Sequence, residues 1–195
     1  MNFQGEGSAG VGAGGRLRAW APVFLMMVFI LVSLPLTPSF WRAGRRHLGQ
    51  GFDALGYVVF LLIGLVVVVY LVRRRREFGV LRYSALALLT LVYVYLLHRS
   101  RFPAERLHLM EYGFLAYLCW RAFRVDFTTV TSYALGFVLS SAFGLVDELV
   151  QYVLPNRYFE LRDVATNIIA SALGLMVASL LRRRDASPLE QCKGD

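Results

Sequence analysis

The feature that most constrains this chain is a series of long apolar segments that contain few or no charges. A helix rises about 1.5 Å per residue and the hydrocarbon core of a bilayer is about 30 Å thick, so about 20 apolar residues cross it. Six segments meet or approach that length. They predict an all-α polytopic bundle of six membrane spans, at residues 20–36, 54–72, 80–97, 107–123, 129–154 and 164–181.

The composition fits a chain whose solvent is lipid, because 57% of its residues are hydrophobic and only 17% are charged. A net charge of +8 would also suit a nucleic-acid partner. The arginines, however, lie in short clusters beside the apolar segments, as topology signals do, and we predict no binding to nucleic acid. In a six-span arrangement more Lys and Arg lie on the side of the two termini, with the run Arg73–Arg76 contributing much of the excess. Both termini are therefore expected in the cytoplasm.

The spans predict one membrane domain, residues 19–184, between two tails. Residues 1–18 are rich in glycine and are expected to form a flexible tail, and residues 185–195 form a polar one. The first span follows two arginines, as a secretory signal does. It is long, however, and no small-residue cleavage site follows it, so we expect a retained anchor. Cys119 and Cys192 form neither a disulfide framework nor a CxxC motif.

Ionisable side chains concentrate in the last three spans. Each costs about 2.5–3.5 kcal/mol at membrane depth on insertion scales, so each needs a partner, water or an interfacial position. The polar residues pair three or four positions apart, on one face of each span: His108 with Glu111, Glu148 with Gln151, and Asp163 with Asn167. Asp147 lies about 100° around the helix from Glu148, so one of the two is expected to face a neighbour or the headgroups.

Six spans bring the start of the fourth, the end of the fifth and the start of the sixth to one side, away from the cytoplasm. Arg157 lies in the short loop between the last two spans, and its guanidinium can bind a carboxylate or phosphate there. The sequence therefore predicts an outward-facing polar cluster.

The segment Asp147–Asn167, D-E-L-V-Q-Y-V-L-P-N-R-Y-F-E-L-R-D-V-A-T-N, resembles the signature of the VanZ-like membrane protein family. That signature, D-E-x-x-Q-x-x-x-P-x-R-x-x-x-x-x-D-x-x-x-N, is filled at every position. His108–Leu115 is similar to the family element H-x-x-E-Y-G-x-L. The resemblance covers about Glu105–Gly174. It departs at Glu105-Arg106, where members often carry an upstream lysine, and at Ser171, where they often carry glycine.

The resemblance implies a multi-pass protein of the bacterial cytoplasmic membrane with a role at the cell envelope. The family is named for a protein that raises resistance to the antibiotic teicoplanin, which does not imply the same for this chain. The favoured hypothesis is binding or shielding of a membrane lipid, a lipid-linked cell-wall precursor or a glycopeptide antibiotic. Arg157 would hold phosphate or carboxylate, and Glu148, Gln151 and Asn167 would bind hydroxyls and amides.

Two other functional classes stay open. A membrane enzyme would use His108 or Glu148 for acid–base chemistry. No serine elbow, phosphate-binding glycine loop or HExxH element accompanies them, so no catalytic residue is assigned. Transport or proton relay is the second alternative, although the polar residues lie near one interface rather than across the midplane.

Structural roles also fit these residues. His108 with Glu111 can fix the register of a helix, Asp163 with Asn167 can cap one, and Arg157 can contact lipid headgroups. A divalent ion on His108, Glu111, Glu148 and Asp163 is a further possibility, but one histidine without a diagnostic spacing argues against it. We assign neither metal nor cofactor, and the oligomeric state stays open.

Overall fold

The fold is a bundle of helices. The computed structural model describes residues 12–49, 51–52, 58, 62, 64, 66, 69, 73, 79–100, 103–154 and 159–182. Within these residues all regular structure is helical, as predicted. The five continuous helices are α1 (Ala13–Leu48), α2 (Val80–Arg99), α3 (Pro103–Phe123), α4 (Thr129–Val153) and α5 (Leu161–Leu181).

Three predicted spans, 80–97, 129–154 and 164–181, nearly coincide with α2, α4 and α5. Together with α1, these helices are long and apolar enough to cross a membrane, so four candidate spans stand in the described part of the chain. The predicted span 54–72 lies mostly outside the described residues. The span predicted at 107–123 is the helix α3, which is not among the four apolar candidates.

Helix α1 is much longer than the segment 20–36 that hydropathy predicts. It starts within the expected N-terminal tail and continues to Leu48, through Pro22, Pro35 and Pro38. Proline removes one helical hydrogen bond, and in lipid the helix nevertheless continues because a helix that stops early leaves more backbone groups without partners. The hydroxyls of Ser33 and Thr37, close to Pro35 and Pro38, donate at 2.7 Å to the carbonyls of Ile30 and Ser33, which the prolines do not free. Hydropathy alone does not show this continuation.

Helix α3 is the central helix of the bundle, and α1, α4 and α5 pack against it. Its core residues Leu109, Leu115 and Cys119 form one cluster with Val23 and Ile30 of α1. Because protein covers much of α3, the surface of this helix can be less apolar than that of the helices that face lipid. Many large apolar side chains of α1, α2 and α4 instead remain exposed, among them Phe24, Leu91 and Val138.

The helices around the site approach closely through small side chains. The buried residues of α4 form a stripe along one side of the helix, and none of them is a large apolar residue. They are Ser132, Gly136, Ser140, Gly144, Asp147, Glu148 and Gln151. Gly113 of α3 and Gly174 of α5 bring their backbones together, and a Cβ on Gly174 would overlap the Gly113 carbonyl. Small-residue seams of this kind are typical of helix packing in membranes.

Candidate functional site

A polar cluster lies where the N-terminal half of α3, the C-terminal end of α4 and the start of α5 meet. Its most buried members are His108 on α3 and the neighbours Asp147 and Glu148 on α4. Asp147 and Glu148 are fully buried, and His108 is 4% exposed. The cluster therefore lies inside the bundle at one end rather than on its surface.

Asp147 is held from two helices. Tyr112 Oη of α3 donates to Asp147 Oδ2 at 2.8 Å, and Gln151 Nε2 of α4 donates to Asp147 Oδ1 at 3.3 Å. Gln151 follows Asp147 by four residues, the spacing that brings two side chains together along a helix. Both oxygens of the carboxyl group are thus oriented by side chains that are themselves buried.

Glu148 connects α4 to the start of α5. Gln151 Nε2 also donates to Glu148 Oε1 at 3.1 Å, and the backbone N–H of Glu160 donates to Glu148 Oε2 at 3.3 Å. Glu160 is the N-cap residue of α5 and makes no side-chain cap of its own. The carboxyl group of Glu148 therefore takes up a backbone donor at the point where α5 begins, which fixes the last turn of α4 against it.

The imidazole of His108 lies close to two carboxyl groups. Its Nδ1 is 3.4 Å from Glu111 Oε2 and 3.7 Å from Asp147 Oδ2. Within the described part of the chain, neither ring nitrogen has a hydrogen-bond partner of acceptable geometry. A buried imidazole normally satisfies at least one nitrogen, so this ring has unused donor or acceptor capacity that faces the carboxyl groups.

A second polar chain runs below the carboxyl groups, between α4 and α5. Asn167 packs directly against Gly144: a Cβ added to Gly144 would lie 2.8 Å from the Asn167 Cβ. The glycine at position 144 predicts such a close approach of another helix. Ser171 donates to Asn167 O at 2.8 Å and lies 2.8 Å from Ser140 Oγ. Ser140 Oγ also lies 3.3 Å from the backbone carbonyl of Tyr112, so each of the two hydroxyls has a carbonyl to donate to, and either can be the donor between them. The Asn167 Oδ1 atom has no hydrogen-bond partner among the described residues.

Of the eight site residues predicted from the sequence, five are in direct contact with one another in the structure. They are His108, Glu111, Asp147, Glu148 and Gln151. Asn167 is buried on α5 beside Gly144, and Asp163 lies in the first turn of α5, where its charge favours the helix N-terminus. Arg157 lies outside the described residues.

From their positions about 100° apart on the helix, one of Asp147 and Glu148 was expected to face a neighbour or the headgroups. Both are fully buried, because α3 covers one side of the α4 stripe and α5 covers the other. Two packed neighbours bury a face much wider than 100°.

Tyr112 and Ser140 belong to the network although sequence reasoning did not select them. Tyr112 lies four residues after His108 and so shares its helix face, a signal that was available from spacing. Ser140 gave only the weaker signal of a small residue one turn before Gly144. An aromatic or a serine within an apolar helix is more often a packing residue, so neither could be assigned from sequence alone.

Chemically, the cluster offers acceptors more than donors. One ligand atom each of His108, Asp147 and Glu148 lies within 4.8 Å of the other two. Carboxylate oxygens and an imidazole nitrogen can bind hydroxyl, amide or ammonium hydrogens, exchange protons, or coordinate a cation. The described side chains alone do not favour an anion, since Glu111, Asp147 and Glu148 face a single imidazole.

Comparison with known proteins supports the resemblance carried by the two motifs. The profile of the VanZ/LLP1 family matches residues 19–182, which include α2 to α5 in full and all of α1 except its first six residues. No curated protein and no solved structure matches the chain.

Proposed function

Because this chain belongs to the VanZ/LLP1 family over most of its length, we propose that it binds a cell-envelope amphiphile in the membrane through the polar cluster. The proposed ligand is a lipid-linked cell-wall precursor or another envelope lipid, with a glycopeptide antibiotic as the alternative occupant. The observation that carries this proposal is the position of the cluster. It is a hydrogen-bonded group of carboxyl and amide side chains buried at one end of an apolar bundle, and within the described part of the chain His108 and Asn167 keep polar atoms without a hydrogen bond.

The chemistry of the cluster suggests how the ligand binds. Asp147 and Glu148 each accept hydrogen bonds from the protein and keep further lone pairs for hydroxyl or amide groups of a sugar or peptide. A phosphate needs a cation, and we propose Arg157 for this role because it lies between α4 and α5 in the sequence. The acyl chains would lie against the outward apolar faces of the bundle.

The proposal includes the topology predicted from the sequence. Six spans with both termini in the cytoplasm would place the start of α3, the end of α4 and the start of α5 on the outer side of a bacterial cytoplasmic membrane. Envelope lipids and external antibiotics both reach that side. The four apolar helices support a membrane location, and the arginine distribution supports the orientation.

The test is binding of a labelled lipid-linked cell-wall precursor to the purified full chain in lipid nanodiscs. The double variant Glu148→Gln, Arg157→Ala is expected to bind at least about tenfold more weakly, a loss of about 1.4 kcal/mol. The matched control is Asp126→Asn, which removes an acidic residue just beyond the other end of α3, where it lies 2.9 Å from Arg16. Equal affinity for wild type, double variant and control would contradict the proposal. A parallel titration with a glycopeptide identifies the occupant if only the antibiotic binds.

One observation favours an enzyme as the second candidate. The imidazole of His108 lies 3.4 Å from the Glu111 carboxyl group and 3.7 Å from that of Asp147, an arrangement that suits proton transfer to or from a bound substrate. A purified preparation incubated with envelope lipids would then yield a modified product, and His108→Gln would abolish it. Binding without any product in the wild type would exclude this candidate while leaving the binding proposal intact.

A further inference from the structure

The geometry points to a divalent metal site formed by His108, Asp147 and Glu148. These three side chains come from two helices, and one ligand atom from each lies within 4.8 Å of the other two. Around Zn²⁺, nitrogen and oxygen ligands lie about 2.0–2.2 Å from the ion and hence about 3–4 Å from each other. Small side-chain rotations of about 1 Å would close the site on an ion.

His108 supplies an observation independent of the acidic cluster. Its side chain is 6% exposed and faces Asp147 and Glu111, and neither ring nitrogen has a hydrogen-bond partner among the described residues. Burial of unsatisfied polar atoms is costly, so such a nitrogen indicates a missing partner. The neutral imidazole is the commonest protein ligand for transition metals, and a bound ion would satisfy it.

The hydrogen bonds around the carboxyl groups also match a metal site. Tyr112 and Gln151 hold both oxygens of Asp147, while Gln151 and the Glu160 N–H hold both oxygens of Glu148. Each carboxylate oxygen accepts two hydrogen bonds or one hydrogen bond and one metal bond. Such outer partners orient the ligands of metal sites and typically raise metal affinity by about 10–100-fold. Glu111, next to the His108 ring, is placed to orient the imidazole in the same way.

Charge gives the third argument. Asp147 and Glu148 are adjacent and fully buried, and the imidazole of His108 lies 3.7 Å from Asp147. One divalent ion would neutralise the negative charge of two ionised carboxylates. One imidazole nitrogen with carboxylate oxygens suits Zn²⁺ or Mn²⁺ and lacks the thiolates that favour copper(I). The site does not depend on lipid binding.

The test is metal content of the purified full chain carried on a tag that contains no histidine. After chelation and reloading with Zn²⁺ or Mn²⁺, wild type is expected to retain one ion per chain by elemental analysis. His108→Ala is expected to retain none, whereas the matched variant His98→Ala, which changes an exposed histidine at the end of α2, keeps the ion. Wild type without stoichiometric metal, or equal metal in the two histidine variants, would overturn the proposal.

A second measurement distinguishes a variant that has lost the metal site from one that has failed to fold. Zn²⁺ is expected to raise the thermal unfolding temperature of wild type and His98→Ala, since a ligand that binds only the folded state stabilises it. The increase should be absent in His108→Ala and in Asp147→Asn. Tyr112→Phe keeps the three ligands and loses only an orienting hydrogen bond, so its affinity is expected to fall by about 10–100-fold. An unchanged affinity in Tyr112→Phe together with equal zinc stabilisation in all variants would contradict the site.

Discussion

Tyr112 donates a 2.8 Å hydrogen bond to Asp147 across the α3–α4 interface, and both side chains are completely buried. This bond joins the central helix of the bundle to the helix that carries most of the polar cluster. Packing at the same interface uses small residues, so few large apolar contacts compensate for its loss. The bond is therefore expected to contribute to stability as well as to the geometry of the site.

Replacing Tyr112 with Phe is expected to destabilise the protein by about 1–3 kcal/mol, the usual cost of leaving a buried acceptor without its donor. The measurement is unfolding in detergent, followed by circular dichroism. Tyr152→Phe is the matched control, because Tyr152 on α4 is 70% exposed, and a change below about 0.5 kcal/mol is expected. Equal stability of the two variants would show that Tyr112 and Asp147 do not depend on each other.

Replacing Gly174 with Ala is expected to disrupt the contact between α3 and α5. The added Cβ would overlap backbone atoms of Gly113, which cannot rotate away as a side chain does. A loss of about 1–3 kcal/mol or more is expected from overpacking, with partial loss of the folded fraction in detergent. Gly14→Ala, in open space on α1, should leave stability unchanged or raise it by up to about 1 kcal/mol. A stable Gly174→Ala protein would argue against the close approach.

Ser140 and Ser171 are expected to be energetically coupled, since their hydroxyls lie 2.8 Å apart between α4 and α5. A double-mutant cycle with the two Ser→Ala variants should give a coupling of about 0.6 kcal/mol and at most about 1.7 kcal/mol, as for other interhelical bonds in membranes. Ser132 and Ser171 provide the control pair, because Ser132 bonds to backbone carbonyls near the start of its own helix. Strict additivity in both cycles would contradict the contact.

The proposed orientation predicts which end of the bundle faces the outside. In a background with Cys119→Ala and Cys192→Ser, Glu160→Cys is expected to react with a membrane-impermeant maleimide on intact cells. Phe127→Cys, in the turn between α3 and α4 at the opposite end, should react only after permeabilisation. The reverse pattern would place the polar cluster at the cytoplasmic face and exclude external ligands.

The sequence predicts the helices that face lipid well, because a span must be apolar along about 20 residues whatever its neighbours. It also predicts that His108 and Glu111 share one helix face and that Glu148 and Gln151 share another, because both pairs are three residues apart. It did not predict the extent of α1, since proline normally ends a helix and is tolerated here within lipid.

The contacts between helices are harder to predict than the helices themselves. The burial of both Asp147 and Glu148 depends on how α3 and α5 flank α4, and one sequence contains no information on those crossing positions. One partner of Asp147 is a tyrosine within an apolar segment, where an aromatic side chain is more often a packing residue. The convergence of His108 with two carboxyl groups from another helix likewise appears only in three dimensions.

The central position of α3 has a consequence for how the protein is made. This helix carries Arg106, His108 and Glu111 and is less apolar than the helices around it, so lipid alone would stabilise it poorly. Two of its side chains, His108 and Tyr112, contact Asp147 on α4, which the ribosome synthesises later. We therefore expect α3 to complete its insertion only when α4 and α5 have emerged. The polar cluster would then act during biogenesis as the contact that retains α3 in the bilayer.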